Sequence, residues 1–280
     1  MKLSVITDEI SMDFERALDV MLEYGVQSAE LRSLWDMNIA DLPDEQVAEA
    51  ETLLKSRGMT VSCIASPFLK CDLAESDEGV AGRAHQAKDR GLDEQMVLLD
   101  RCIRLADLFN TKFIRVFSFW RRGELTEDIE AQIVQAFEEP AAVAEKGGVI
   151  LGLENEHACY LGTGEEIARV IKAVNSPALR AVWDPGNALC AREVPYPNGY
   201  DAVRDFVVHV HIKDAVWEGD KPRFVRIGDG LIDYVGQFQA LKAAGYRGHL
   251  SLETHFKPGG AAEEGSRQCL ASLTEMLAGF

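Results

Sequence analysis

Eight short runs rich in apolar and β-branched residues alternate, along the whole chain, with stretches of helical periodicity. The strand-like runs are LSVITD from Leu3, SAELR from Ser28, TVSCIAS from Thr60, FIRVFSF from Phe113, VILGLENE from Val149, LRAVWD from Leu179, VVHVHIKD from Val207 and HLSLETH from His249. Strands that alternate with helices are typical of a parallel sheet, because parallel neighbours need a long crossover connection. Eight such units predict an α/β protein, a (β/α)8 TIM barrel, with residues 1–280 as a single domain.

The competing architecture is a doubly wound open sheet. That fold usually has fewer strands, and no GxGxxG motif follows the first strand here. Between the strands, DFERALDVMLEYG places Phe14 and Leu18 on one apolar stripe and ends at Gly25. The helical stretch EDIEAQIVQAFEEPAAVAEKGG carries Pro140 in its interior, so we expect a kink or a break there.

Charge and cysteine usage limit the partners and the compartment. The chain has 46 acidic and 29 basic residues, a net charge of −17. Such a surface repels phosphate backbones and anionic lipids, so we expect neither nucleic acid nor a membrane as a partner. There is no apolar run of about 18 residues, and MKLSVITDEIS lacks the apolar core of a secretory signal. The six cysteines form no CxxC motif, which favours reduced thiols in a cytoplasmic protein. The oligomeric state stays open, with a homo-oligomer among the options.

Polar side chains gather at the carboxyl ends of the strand-like runs, where a (β/α)8 barrel builds its active site. They include Asp8, Glu9, Glu30, Arg32, Glu154, Glu156, His157, Asp184, Asn187, His209, His211, Lys213, Glu253 and His255. Side chains alternate across a strand, so residues two positions apart share a face. Burying so many carboxylates and imidazoles on one face is costly unless something pairs them. A divalent cation would provide that pairing.

Three carboxylates and one imidazole from four successive strands form a candidate metal site. They are Glu154, Asp184, His211 and Glu253. Oxygen-rich ligands with one nitrogen suit one divalent ion, Mn²⁺, Mg²⁺, Co²⁺ or Zn²⁺. Each residue alone has a plainer explanation, because a strand histidine is usually hydrogen-bonded in the core and a rim glutamate usually pairs with an arginine such as Arg115 or Arg180. The four together, at matching depth, favour a metal ion.

Five segments resemble the xylose isomerase-like TIM-barrel superfamily: LGLENEH, AVWDPGN, VHVHIKD, IGDGLIDY and GHLSLETH. The superfamily includes ketose 3-epimerases, inosose isomerases, inosose dehydratases and AP endonuclease-like proteins, and the resemblance covers essentially the whole chain. It implies the same four metal ligands, with His211 as the ligand of HIKD. His209 is then a neighbour deeper in the barrel, and Lys213 lies towards the rim. Ketose 3-epimerases have a histidine shortly after the aspartate of the sixth strand, where this chain has Asn187.

The resemblance implies a divalent-metal-dependent isomerase or epimerase of a small sugar, ketose or polyol-derived ketone. Its reaction would be a proton transfer through a metal-stabilised enediolate, with Glu154 and Glu253 as the acid/base pair on opposite sides of the substrate carbon. A lyase or dehydratase acting on a keto-sugar or inosose shares the first step and stays an alternative. DNA repair of the AP endonuclease type is a more remote alternative, since six histidines and a net charge of −17 fit a DNA-binding, multinuclear site poorly.

Further residues at the strand ends are candidate substrate contacts: Glu156, His157, Asn187, Lys213, Arg32, Arg226 and Trp120. Each also has a plainer explanation, an ion pair for the charged residues and packing for the tryptophan. Gly228 and Gly230 offer backbone N–H groups that could face a phosphate, although a turn before a helix explains this GxG equally well. The identity of the substrate, including whether it is phosphorylated, stays open.

Overall fold

The computed structural model describes residues 1–73 and 86–280, and its eight barrel strands close into one parallel barrel. In chain order the barrel strands are Lys2–Ile6, Ser28–Leu31, Thr60–Ala65, Phe113–Val116, Ile150–Glu154, Leu179–Trp183, Val207–Ile212 and His249–Leu252. Each strand pairs with its neighbours in the sequence, and the first strand closes the barrel against the eighth. The predicted (β/α)8 fold is therefore confirmed.

Helices connect the strands. The described α-helices are Phe14–Glu23, Asp44–Ser56, Gln95–Leu108, Glu127–Lys146, Gly164–Val174, Pro185–Cys190, Tyr200–Val203, Tyr234–Ala243 and Ala262–Leu277. The predicted break at Pro140 was wrong, because the helix continues through this residue from Glu127 to Lys146. A proline removes one backbone hydrogen bond, and Pro140 is buried with its apolar neighbours, which offsets that loss. None of the described helices combines the length and the apolarity needed to cross a membrane.

The two faces of the barrel strands have different chemistry. On the eighth strand, Leu250 and Leu252 belong to the apolar core, whereas Ser251 between them lies on the opposite face. On the seventh strand, Val210 belongs to the same core and separates His209 from His211. This alternation packs one face against the helices and leaves a polar, fully buried face inside the barrel. That inner face carries the candidate site.

A hairpin extends the loop after the seventh barrel strand. It pairs Asp214–Glu218 with Lys221–Val225. The Asp214 carboxylate accepts hydrogen bonds from the backbone N–H groups of Gly228, at 2.9 Å, and Gly230, at 3.0 Å. The two glycines therefore do not offer these groups to a phosphate, and that option from the sequence was wrong. A buried carboxylate needs donors of its own, and these turn amides provide them.

Candidate metal centre

The four candidate metal ligands converge at the carboxyl end of the barrel. His211 Nδ1 lies 3.2 Å from Glu154 Oε1 and 3.4 Å from Glu253 Oε2. The same nitrogen lies 3.9 Å from Asp184 Oδ2. Each of the four residues offers one ligand atom, and these atoms all lie within 4.8 Å of one another. All four side chains are buried, so the structure brings together the set that the sequence predicted.

Glu30, on the second barrel strand, orients the imidazole of His211. Its Oε1 lies 3.1 Å from His211 Nε2, and its Oε2 lies 2.8 Å from His209 Nε2. Burial opposes ionisation of Glu30, but the two histidines outweigh it and hold the pKa of this carboxyl well below its usual range. With Nε2 held by a carboxylate, Nδ1 faces the other three ligands, the arrangement typical of a metal-binding histidine.

Each candidate carboxylate ligand has one oxygen that other groups of the protein hold. The backbone N–H of Asn187 donates to Asp184 Oδ1 at 2.8 Å. The Asn187 side-chain amide donates to Glu154 Oε1 at 3.1 Å, and Arg32 donates to Glu253 Oε1 at 2.6 Å. The second oxygens face cations of the protein, since Lys213 contacts those of Asp184 and Glu253, and Arg115 Nη1 lies 3.4 Å from that of Glu154. These hydrogen bonds fix the carboxylates before any ligand binds.

The donor set fits a divalent cation. Glu154 Oε2 is buried and accepts no hydrogen bond from any described residue, although Arg115 Nη1 lies 3.4 Å from it. Asp184 Oδ2 is also buried, and the Lys213 ammonium lies beside it. Buried carboxylate oxygens are normally hydrogen-bonded, so Glu154 Oε2 indicates a missing partner. Burial, with the nearby charge of Glu154, raises the pKa of Asp184 to about 6 although Lys213 opposes this. Carboxylate oxygens with one imidazole suit Mg²⁺, Mn²⁺, Co²⁺ or Zn²⁺.

Lys213 lies inside the cluster and not towards the rim, which corrects the expectation from the sequence. Its Nζ is 2.7 Å from Asp184 Oδ2 and 2.9 Å from Glu253 Oε2, and the residue is only 2% exposed. Burial disfavours the ammonium, but the carboxylates outweigh it and hold the pKa of Lys213 well above its usual range. Gly186 makes room for the stem, since a Cβ there would lie 2.4 Å from Lys213 Cγ.

Arg32 adopts the ion-paired arrangement that the sequence left as an alternative. Its guanidinium contacts Asp8 Oδ2 at 2.8 Å, Glu9 Oε1 at 2.5 Å and Glu253 Oε1 at 2.6 Å. A second group of possible metal ligands, Glu9, Glu253 and His255, lies beside it. Because Arg32 already neutralises two of these carboxylates, the second group fits a cation less well than the first.

The opposite side of the centre carries the chain of contacts from Asn187 to Lys70. Asn187 Oδ1 lies 3.1 Å from His157 Nδ1, and that nitrogen lies 3.0 Å from Glu156 Oε1. Glu156 Oε2 pairs with Lys70 at 2.9 Å. Burial lowers the pKa of His157, but its contacts with Glu156 outweigh this and raise it. Three predicted substrate contacts thus lie next to one another.

Lys70 was missed by the sequence analysis. Its Nζ lies 4.1 Å from the centre of the Phe117 ring and 5.2 Å from that of Trp120. Trp120 is buried, and its Nε1 has no hydrogen-bond partner among the described residues. Lys70 follows the third strand in the segment IASPFLK, so its position after a barrel strand was the one available signal. Arg226 pairs with Asp229 on an exposed turn, and its contact with substrate stays a prediction.

Residues 18–276 match the model of the xylose isomerase-like TIM barrel family. The chain belongs to this family. The resemblance inferred from the strand-end motifs is therefore confirmed, and this family member can be compared with its relatives. The 3-oxo-isoapionate decarboxylase of Pectobacterium atrosepticum is 25% identical over 195 residues, which cover 64% of this chain and 68% of the relative.

Solved structures share the fold over nearly the whole chain. The zinc-bound IolI protein has a TM-score of 0.77 at 17% identity, covering 100% of this chain and 99% of its own. The probable 3-DHS dehydratase AsbF of Bacillus anthracis has a TM-score of 0.75 at 15% identity and 99% coverage of both chains. The D-allulose 3-epimerase of Methylomonas sp., in complex with D-allulose, has a TM-score of 0.72 at 15% identity and covers 99% of this chain and 97% of its own.

Proposed function

We propose that this protein is a divalent-metal-dependent isomerase or epimerase of a small sugar, ketose or polyol-derived ketone. The observation that carries the proposal is the buried set of three carboxylates and one imidazole at the carboxyl end of the barrel. Family membership and the D-allulose-bound and zinc-bound relatives support it. The candidate ligands are Glu154, Asp184, His211 and Glu253.

A divalent cation held by these residues would polarise a substrate carbonyl as a Lewis acid. Glu154 and Glu253 then move the proton. One carboxylate removes it from the carbon beside the carbonyl, and the other, which begins protonated, returns one to the opposite face. Glu154 Oε2 accepts no hydrogen bond from the described residues and is the oxygen available for this step. The two carboxyl groups exchange protonation states in each turnover.

The surrounding residues position these groups and the substrate. Arg32 and Lys213 hold Glu253 from two sides, and Asn187 holds Glu154. We assign Glu156 and His157 to substrate hydroxyls, because they are adjacent to Asn187 and less buried than the ligands. Trp120 and Arg226 remain candidate substrate contacts on the same proposal.

The proposed substrate has no phosphate group. The cations among the candidate substrate contacts, and Lys70 beside them, each have a carboxylate partner within 4.0 Å: Arg32, Lys213, Arg226 and Lys70. To bind any of these four cations, a phosphate would have to displace the carboxylate partner, and it would add charge to a site already rich in carboxylates. An uncharged polyol instead needs hydrogen-bond donors and acceptors, which Glu156 and His157 provide.

The test is proton exchange on a panel of ketoses, inososes and 3-keto sugars in D₂O with added Mn²⁺. We expect deuterium to enter one substrate at the carbon beside its carbonyl, as detected by mass spectrometry. Glu154→Gln and Glu253→Gln should each reduce the exchange rate at least about a hundredfold, because each removes the proton-transfer group. The exposed Glu275→Gln is the matched control and should exchange normally. Full exchange by either site variant would refute the two-carboxylate mechanism.

A lyase on the same site is the second candidate. Asn187 stands where ketose 3-epimerases have a histidine, and the similar proteins include a decarboxylase and a probable dehydratase. Loss of water or CO₂ from the substrate in the same assay would favour the lyase, and exchange without loss would favour the epimerase. DNA repair is more remote, since a net charge of −17 opposes binding to DNA.

A further inference from the structure

A cavity lies away from the candidate metal centre. It has a volume of about 490 Å³ and lies between the end of the helix Gly164–Val174 and the start of the sixth barrel strand, Leu179–Trp183. The start of a barrel strand is at the amino end of the barrel, the face opposite the candidate site. The volume is within the range of small-molecule sites.

Two cations line this cavity, and neither has a carboxylate partner. Lys172 and Arg180 form no ion pair with any described residue, although the chain has a net charge of −17. Among the arginines that the structure describes, the others have a carboxylate within 4.0 Å, apart from Arg247. The cavity is therefore a positively charged region on the surface of an acidic protein.

The guanidinium of Arg180 is held in one orientation. Its Nη1 donates to the backbone carbonyls of Ser176, at 2.8 Å, and Leu179, at 2.7 Å. In the part of the chain that the structure describes, Nε and Nη2 have no hydrogen-bond partner. Those two N–H groups form the edge that binds a carboxylate through two parallel hydrogen bonds. Arg180 is thus oriented for an anion, and among the described residues no carboxylate pairs with it.

The rest of the cavity wall is partly apolar, and Asn175 and Ser176 add polar groups to it. Ile171, Pro177 and Phe206 line it, and Lys172 Nζ lies 5.8 Å from the centre of the Phe206 ring. We propose that this cavity is a second ligand site that takes a small organic anion, with its carboxylate on Arg180 and Lys172 and its apolar body against Phe206. The site does not depend on the metal centre or on the proposed reaction.

The test is binding of 4-fluorobenzoate to the full chain, followed by fluorine NMR, with acetate and benzamide as competitors. We expect saturable binding that benzamide, which lacks the charge, does not displace. Arg180→Gln should weaken binding about tenfold or more, since a hydrogen bond to a charged group contributes about 1.5–3 kcal/mol. Arg180→Lys, which keeps the charge without the planar edge, should bind with intermediate affinity.

Arg247→Gln is the matched control, because Arg247 also has no carboxylate partner in residues 1–73 and 86–280 but does not line the cavity. It should bind 4-fluorobenzoate like the wild type. Absence of saturable binding, or equal affinity of the wild type and Arg180→Gln in proteins with equal Tm, would overturn the site. Binding of acetate as tight as that of 4-fluorobenzoate would overturn the role of Phe206. If Arg180→Gln lowers the Tm, Lys172→Gln replaces it and should weaken binding by a factor of about three.

Discussion

Glu30→Gln should weaken metal binding although Glu30 is not one of the proposed ligands. The carboxylate accepts from two imidazoles, His211 at 3.1 Å and His209 at 2.8 Å, and is fully buried. The amide can accept from only one of them, and its NH₂ group forces the other to accept at Nε2 and to carry its proton on Nδ1. For His211, a proton on Nδ1 blocks the nitrogen that faces the other three ligands.

The loss of one charge-assisted hydrogen bond in a buried site corresponds to about 1.5–3 kcal/mol. At about 1.4 kcal/mol for each factor of ten, the metal Kd should rise about tenfold to a hundredfold. Calorimetric titration of chelator-treated protein with Mn²⁺ or Co²⁺ measures this Kd directly, without any substrate. The Co²⁺ absorption spectrum should change as well, because the nitrogen donor is partly lost.

Ser4→Ala is the control for a general effect on the barrel interior. Ser4 hydrogen-bonds Ser62 at 2.6 Å inside the same barrel and touches none of the four ligands. It should lower stability and leave the metal Kd unchanged. A wild-type Kd in folded Glu30→Gln, or an equal rise in Ser4→Ala, would refute the orienting role of Glu30.

Three further predictions concern the metal, pH and the loop after the seventh strand. Elemental analysis of unchelated protein should find about one divalent ion per chain, and chelation should lower the Tm, since an ion at a hundred times its Kd contributes about 2.7 kcal/mol; an unchanged Tm would contradict the centre. Burial lowers the pKa of His249 to about 4 in the folded protein. As the pH drops, His249 is therefore protonated in the unfolded chain before it is protonated in the folded one, and the free energy of unfolding should fall between pH values of about 6.5 and about 4. His249→Gln should remove this part of the pH dependence in urea unfolding, and an unaltered pH profile would count against it. Gly230→Ala should cost about 1–3 kcal/mol in the same assay, because its Cβ would lie 1.9 Å from Asp214 Oδ1; wild-type stability would show that the turn adapts.

The barrel was predictable because its signals are local. Each strand-like run, such as VVHVHIKD, carries its alternation within a few residues, and each helix its own apolar periodicity. The break expected at Pro140 was wrong, because tertiary packing outweighed the local rule. Its missing hydrogen bond was visible in the sequence, but its burial was not.

The candidate ligands were predictable for a related reason. Alternation along a strand and the shared carboxyl end of a barrel place Glu154, Asp184, His211 and Glu253 near one another before any distance is known. The pairing of their neighbours was not predictable. Glu30 and His209 are 179 positions apart, and nothing local to either residue indicates which partner the other side of a closed barrel will supply.

The sequence by itself determined a (β/α)8 barrel and the donor types at the carboxyl ends of its strands, because both follow from patterns a few residues long. Tertiary structure decided the partner of each charge. Lys213 turns into the carboxylates since Gly186 leaves room for its stem, and Arg32 holds Glu253. On the opposite face, Arg180 bonds to backbone carbonyls and pairs with none of the described acids. The contacts of Lys213 and Arg32 join residues that are far apart in the sequence, and they form only when the barrel closes.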